Sequence, residues 1–216
     1  MRRGLAAAAA ALALAAGAAA GGAAAQSPPG ERASDAVVAV AAWAIRSGDH
    51  AGLPFAVIDK RAARVYLFGA DGRLRGEAPV LVGMTVGDRS TPFVGDRELS
   101  SIPLPERTTP AGRFLGGWGK STKGVRTLWV DYPTAVSIHP LASVGEGERR
   151  EERLASPTPE DNRITFGCIN VPPAFFEAVI RPTITRGAVF YVLPEVMTLR
   201  QAVPGFVAPP GLLAGG

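Results

Sequence analysis

One side chain stands out for the chemistry its setting allows: Cys168, the single cysteine among 216 residues. It lies in Arg163-Ile-Thr-Phe-Gly-Cys-Ile-Asn-Val171, directly after a glycine. Gly167 has no side chain to obstruct a carbonyl approaching the backbone. Backbone N–H groups at Gly167 and Cys168 can then point at a developing oxyanion. Thr165 and Asn170 flank the thiol with small polar groups able to bond a substrate or the backbone. An unpaired cysteine is either buried and inert or a reactive thiol. The Gly-Cys setting favours the second.

A thiol of ordinary pKa, about 8.5, is mostly protonated at neutral pH and needs a base or a positive neighbour. The chain holds two histidines. His50 sits in a Gly-Asp-His-Ala-Gly turn and reads as a solvated loop residue. His139 closes the run Ala135-Val-Ser-Ile-His139 and precedes Pro140, at a strand end that can present a side chain to a cleft. The carbonyl of His139 or Pro140 can accept the ring's second proton and fix its tautomer. Other chemistries lack their residues. There is no His-Glu-x-x-His helix and no cysteine pair, so no metal site is expected. A Gly-x-Ser-x-Gly elbow and a phosphate loop are missing too, and no cofactor is expected.

The elements that must position these residues are mostly strands. Phe55–Asp59 is a short apolar run and Arg64–Phe68 alternates, with Val65 and Leu67 on one face and Tyr66 and Phe68 on the other. Asp71-Gly72 is a hairpin signal. Pro79–Val86 places Val80, Val82, Met84 and Val86 on one face. Residues 87–108 are punctuated by Gly, Pro, Asp and Ser and read as loop. Thr109-Pro-Ala-Gly-Arg-Phe114 turns into a strand, and Thr127–Tyr132, Ala135–Ile138 and Ala188–Leu193 follow as strands. A helix is predicted over Asp35–Ser47, capped by Asp35 and ended by Gly48, and another over Pro173–Ile180. Residues 143–162 are polar and interrupted by Pro157 and Pro159, so a solvated flap or rim is expected there. The tail from Val203 is Pro/Gly-rich and reads as loose. The fold class is therefore mostly β, a β-rich α+β chain of curved mixed sheets or sandwich form with a few short helices.

At the N-terminus, Arg2-Arg3, an Ala/Leu/Gly run over 5–20 and Ala23-Ala24-Ala25 have the three-part pattern of a signal peptide. Residues 1–25 are expected to be removed on export, leaving no stable membrane insertion. Residues 26–53 form a leader and helix, 54–194 the main domain and 195–216 a C-terminal extension. The formal charge is +4 and falls to +2 without Arg2 and Arg3. That small excess predicts no nucleic-acid grip, and oligomeric state is not legible.

These segments resemble the L,D-transpeptidase catalytic domain (YkuD) family. Phe55–Gly83 is similar to its opening hairpin and strand ending in Val-Gly. Thr109-Pro-Ala-Gly-Arg-Phe114 is similar to its Thr-Pro-x-Gly-x-Phe turn. Ser137-Ile-His139, followed by Thr165-Phe-Gly-Cys-Ile-Asn170, resembles its signature of a histidine followed by Ser/Thr-x-Gly-Cys-x-Asn/Arg. Two departures stand out. Phe166 occupies a place that is commonly histidine, and the gap from His139 to Cys168 is about twice the usual one. The resemblance implies an exported periplasmic or cell-wall enzyme acting on peptidoglycan stem peptides through a Cys168 thioester, with His139 as base. Gly167 and Cys168 would supply oxyanion donors. Arg163 and Asn170 are candidates to hold the anionic stem, with a structural salt bridge or turn bond the alternative for each. An L,D-carboxypeptidase or amidase with the same site, or a wall-binding module without activity, are the rival functions.

Overall fold

The structure is a computed structural model and describes residues 33–141 and 146–208. The expected signal segment, most of the leader and the last residues of the C-terminal extension lie outside the described residues. The strands are β1 (Phe55–Asp59), β2 (Arg64–Phe68), β3 (Leu74–Pro79), β4 (Val82–Gly83), β5 (Gly112–Lys120), β6 (Arg126–Asp131), β7 (Val136–Pro140), β8 (Arg163–Thr165), β9 (Ile169–Val171) and β10 (Gly187–Val192). Eight of them form one mixed sheet in the order β3-β2-β1-β10-β5-β6-β7-β9. β4 and β8 make a separate parallel pair. The chain leaving β3 bridges back to β9, where Leu81 and Asn170 exchange N–H···O bonds of 2.9 and 3.0 Å. The two ends of the sheet are thereby tied together, and the architecture is mostly β and nearly closed.

Strand alternation sorts the side chains onto two faces. Val65 and Leu67 join Ile58, Leu128, Ile138, Ile169 and Phe190 in one buried cluster. Inside that curved face lies a helical segment made of α3 (Pro173–Phe175), a π-helical stretch (Phe176–Ile180) and α4 (Arg181–Thr183). Phe175, Phe176 and Ile180 are its buried contribution. Tyr66 lies in the second cluster with Phe55, Val57, Val189 and Tyr191, and Phe68 packs against that cluster. That outer face is covered by α1 (Asp35–Ser47) and α5 (Leu199–Ala202).

Some expectations are corrected here. The cap of α1 is Ser34, whose Oγ accepts from Val37 N–H at 3.3 Å, while Asp35 is the first helical residue. His50 is buried rather than solvated: its Nδ1 lies 2.9 Å from Leu53 O and its ring packs on Phe55. The strand expected over Pro79–Val86 breaks into β3 and β4, leaving Val86 exposed. The tail is not loose at its start, because Val203 and Phe206 are buried against α1. The polar segment carries α2 (Arg150–Ala155), which buries Leu154.

A buried ionic knot holds the loops at one end of the sheet. Lys60, only 1% exposed, directs its ammonium to Gly87 O, to Asp88 Oδ1 at 2.9 Å and to Thr109 O at 2.9 Å. Asp88 in turn accepts from the backbone N–H groups of Glu195, Val196 and Met197 at 2.8, 2.6 and 2.6 Å. Glu195 pairs with Arg163. Each charge is compensated, which is the condition for tolerating it in the interior. Burial pushes the Asp88 carboxyl up, but the hydrogen bonds from Met197, Glu195, Lys60 and Val196 dominate and bring its pKa to about 2.

A folded-state pKa below the unfolded value, about 3.9, stabilises the fold above that value. That contribution is lost as pH falls from about 4 towards 2. Asp88→Asn leaves buried Lys60 with only the more distant Glu195, at 3.5 Å, as a charge partner and is expected to cost about 3–5 kcal/mol at neutral pH. Thermal unfolding should show a melting temperature lower by roughly 10 °C, and the mutant should lose the wild type's steep acid destabilisation between about pH 4 and 2. A mutant as stable as wild type at neutral pH would contradict this.

Candidate active site

Two short strands set the geometry. β7 and β9 pair in parallel, with Ile138 opposite Ile169 and His139 opposite Asn170. Ile138 and Ile169 face the core. Alternation then turns Ser137, His139, Cys168 and Asn170 to the other face. A cysteine and a histidine twenty-nine positions apart in sequence thus become neighbours on one side of one sheet.

The side chains interlock. His139 Nδ1 lies 3.0 Å from Pro140 O, which accepts its proton. With Nδ1 committed, Nε2 is the nitrogen left for other partners, and Asn170 Nδ2 approaches it at 3.0 Å. The β7–β9 register puts His139 and Cys168 on one face, where each acts on the other's protonation. Ser137 Oγ stands 3.5 Å from Cys168 Sγ, and Ala135 O lies 3.6 Å away. Ala135 adopts a left-handed backbone, φ 56°, at the turn into β7. A non-glycine residue pays for that conformation, and here it brings a carbonyl up beside the sulfur.

Electrostatics follow from these contacts. Burial pushes the Cys168 thiol up. The hydrogen bond and charge of His139, helped by Ser137 through its hydroxyl and backbone N–H, outweigh that and hold it below its ordinary value. Burial likewise pushes His139 down, yet its bonds to Cys168 and Pro140 O raise it overall, against the opposing charge of Arg150. The two shifts describe one event, a proton moving from sulfur to imidazole. Cys168 is half-buried and lines a narrow cleft with Thr134, Ala135, Phe166 and Gly167, roofed by Val94 and Gly95 of the 87–108 loop.

The turn before the thiol is fixed from below. Gly167 has φ 132°, and a Cβ there would meet Thr108 O at 2.9 Å. Glycine is required by this close approach of protein backbone. Thr109 Oγ1 donates to Gly167 O at 2.8 Å and accepts from Gly83 N–H at 2.9 Å. Thr165 Oγ1 donates to Cys168 O at 2.6 Å and accepts from Gly167 N–H at 3.1 Å.

These bonds place each residue singled out from the sequence. Gly167 N–H is engaged by Thr165 within the turn, so it is no ready oxyanion donor. Thr165 is buried and shapes the turn. Asn170 is fully buried and faces His139 rather than open cleft. Arg163 is not brought to the thiol; its guanidinium reaches Gly83 O at 3.3 Å and pairs with Glu195. Cys168 and His139 are brought together. Sequence reasoning passed over Ser137, Thr109 and Arg150. Ser137 was findable, since it stands two residues from His139 on one strand and must share its face. Arg150, which donates to Asn170 Oδ1 at 2.7 Å, gave no such signal.

No family model matches the chain, and no curated protein matches it. Similar solved structures include the helical cell shape determining protein Pgp2 from Campylobacter jejuni in its K307A form, at 12% identity and TM-score 0.44 over 67% of this chain and 48% of that one. A structure titled as the Ldtfm-avibactam carbamoyl enzyme matches at 16% identity and TM-score 0.41, over 66% of this chain and 49% of that one. The catalytic domain of the E. faecium L,D-transpeptidase matches at 17% identity and TM-score 0.38, over 65% of this chain and 96% of that one. This chain spans about half the length of the first two. With such low identities and scores, the functional reading stands on the side chains of the site.

Thr109→Val keeps the shape but leaves Gly83 N–H and Gly167 O buried and unpaired. The expected cost is roughly 2–4 kcal/mol, seen as a melting temperature lower by about 5–15 °C. Iodoacetamide should also label Cys168 more slowly. Thr109→Ser, which keeps the hydroxyl, should recover most of both. An unshifted melting curve in Thr109→Val would contradict the bridging role.

Proposed function

We propose that the chain is an L,D-transpeptidase that acts on peptidoglycan stem peptides through a Cys168 acyl-enzyme. The observation that carries the reading is the Cys168–His139 pair, with Nδ1 bound to Pro140 O and the sulfur lining a cleft. A paired thiol and imidazole, the imidazole held in one tautomer by a third group, is the arrangement that activates a nucleophile. The sequence resemblance narrows the acyl donor to a stem peptide.

The chemistry follows from the atoms. His139 Nε2 takes the thiol proton. The thiolate attacks the carbonyl carbon on the L-centre of the stem's diamino acid, forming a C–S bond and an oxyanion. Cys168 N–H is the backbone donor assigned to that oxyanion; losing one such donor typically costs about 10²–10³ in rate. The oxyanion collapses, the C–N bond breaks, and the leaving D-alanine amine takes its proton from the imidazolium. An amine of a second stem attacks the thioester, passes its proton to His139 and releases the thiolate. Water in place of that amine would give hydrolysis.

The site of action is proposed to be outside the cytoplasm, on the signal-peptide pattern of residues 1–25. Among the described residues no helix is long and apolar enough to cross a membrane. The catalytic domain is proposed to span residues 54–194.

Cys168→Ala is expected to fold like wild type and to be inactive. Purified muropeptides with stems ending in D-alanine provide the test, with products read by mass spectrometry. Wild type should give cross-linked dimers and free D-alanine, and Cys168→Ala should give neither. Turnover by the mutant, or an inert wild type whose Cys168 resists iodoacetamide, would overturn the proposal.

A further inference from the structure

The polar segment between β7 and β8 reaches into the site through one side chain. Arg150, at the start of α2, is largely covered, its side chain 12% exposed. Its Nε donates to Glu148, and its other arm donates to Asn170 Oδ1 at 2.7 Å. Asn170 is fully buried, and its Nδ2 stands 3.0 Å from His139 Nε2. Arg150, Asn170 and His139 therefore form a chain from the inserted helix to the imidazole. We propose that Arg150 is a positioning residue for His139, holding the Asn170 amide in the one orientation that leaves the imidazole's Nε2 lone pair available.

An amide can sit either way round in a site, and its partners decide which. With Oδ1 accepting from Arg150, the NH₂ end must face His139. Nδ2 lies 3.0 Å from Nε2 and 3.5 Å from Nδ1, over the ring face, so its NH₂ opposes a protonated ring while the in-plane Nε2 lone pair stays open. The reversed amide would set NH₂ against the guanidinium and offer its oxygen to a protonated Nε2. A guanidinium has donors only, so it excludes that reversal. The groups facing His139 that carry or exchange charge are Cys168, from the turn before β9, and Arg150, from α2. They act in opposite senses. The thiolate draws a proton onto the imidazole, while Arg150 resists it through charge and through the amide. The imidazolium so formed is a stronger acid than the thiolate alone would leave it, suited to protonating a departing amine.

This inference rests on the acyl-enzyme reading, but its first readout needs no substrate. The ring C–H signals of His139 are followed by NMR against pH in the whole protein, where His50 is the only other histidine. In Arg150→Met the His139 midpoint should move to higher pH. Arg150→Gln, uncharged but polar, should move it the same way. Arg150→Lys, which keeps the charge, should leave it near wild type. A helix that merely packs would move the melting temperature and not this midpoint. With stem peptides, Arg150→Met should lower kcat roughly tenfold to a hundredfold, the range for losing a hydrogen bond to a charged group, with KM little changed. If wild-type Cys168 is alkylated readily and the His139 midpoint in both Arg150→Met and Arg150→Gln stays at the wild-type value, the inference fails alone. If wild-type Cys168 resists alkylation, the acyl-enzyme reading fails whatever Arg150 does.

Discussion

β7 and β9 run side by side in parallel, three residue pairs long, with His139 opposite Asn170. That register is the constraint from which the site follows. A strand presents alternate residues to one face, so a slip of one position would turn Cys168 into the core and Ile169 out of it. The slip is opposed by burial of Ile138, Ile169 and Val171, all near zero exposure. Fully burying an aliphatic side chain of this kind contributes about 1.5–3 kcal/mol. Three of them outweigh anything the polar face could gain by shifting. The apolar side of the pairing thus sets the geometry of the polar side.

The turn carrying the thiol depends on a second, more remote arrangement. Lys60 lies in the tight turn after β1, yet its ammonium binds Thr109 O, and the Thr109 hydroxyl binds Gly167 O. A buried cation linked to the thiol's turn through two successive hydrogen bonds is costly to place, and it is held by Asp88, Glu195 and two carbonyls. The same knot takes in Arg163 through Glu195. It gathers the 87–109 loop, the start of β8 and the segment after β10 at one point. Rigidity there matters because the thiol sits on a short turn, where small displacements are expensive in rate.

Much of this was legible in the sequence, and the reasons for the rest are physical. Alternation over Arg64–Phe68 gave strand and faces together, because a short run of β-branched and aromatic residues suits a strand buried on both faces. The Gly-Cys pair and the strand-end histidine gave the nucleophile and its base. What stayed hidden was long-range. Nothing near Asp88 announces that three backbone N–H groups from 195–197 will close on it. His50 read as solvated because its neighbours are turn residues, yet Phe55 and Leu53 O enclose it. α2 was obscured by its polar composition, since it buries only Leu154 and its value lies in Arg150. Arg163, beside the motif, could be read as a substrate clamp or as half of a structural salt bridge, and only the fold shows its partner, Glu195.

The thiol and imidazole share one proton under opposed pressures. Burial penalises the ion pair, while the contacts among Cys168, His139, Ser137 and Pro140 favour it. The account holds that the contacts win, so that a thiolate exists at neutral pH. The direct test is the ultraviolet thiolate absorbance of the protein as a function of pH, taken as the difference from Cys168→Ala. Thiolate should appear at a midpoint well below that of an ordinary cysteine, about 8.5, and in His139→Ala the midpoint should rise. A wild-type midpoint at or above that ordinary value, unmoved by His139→Ala, would contradict the account.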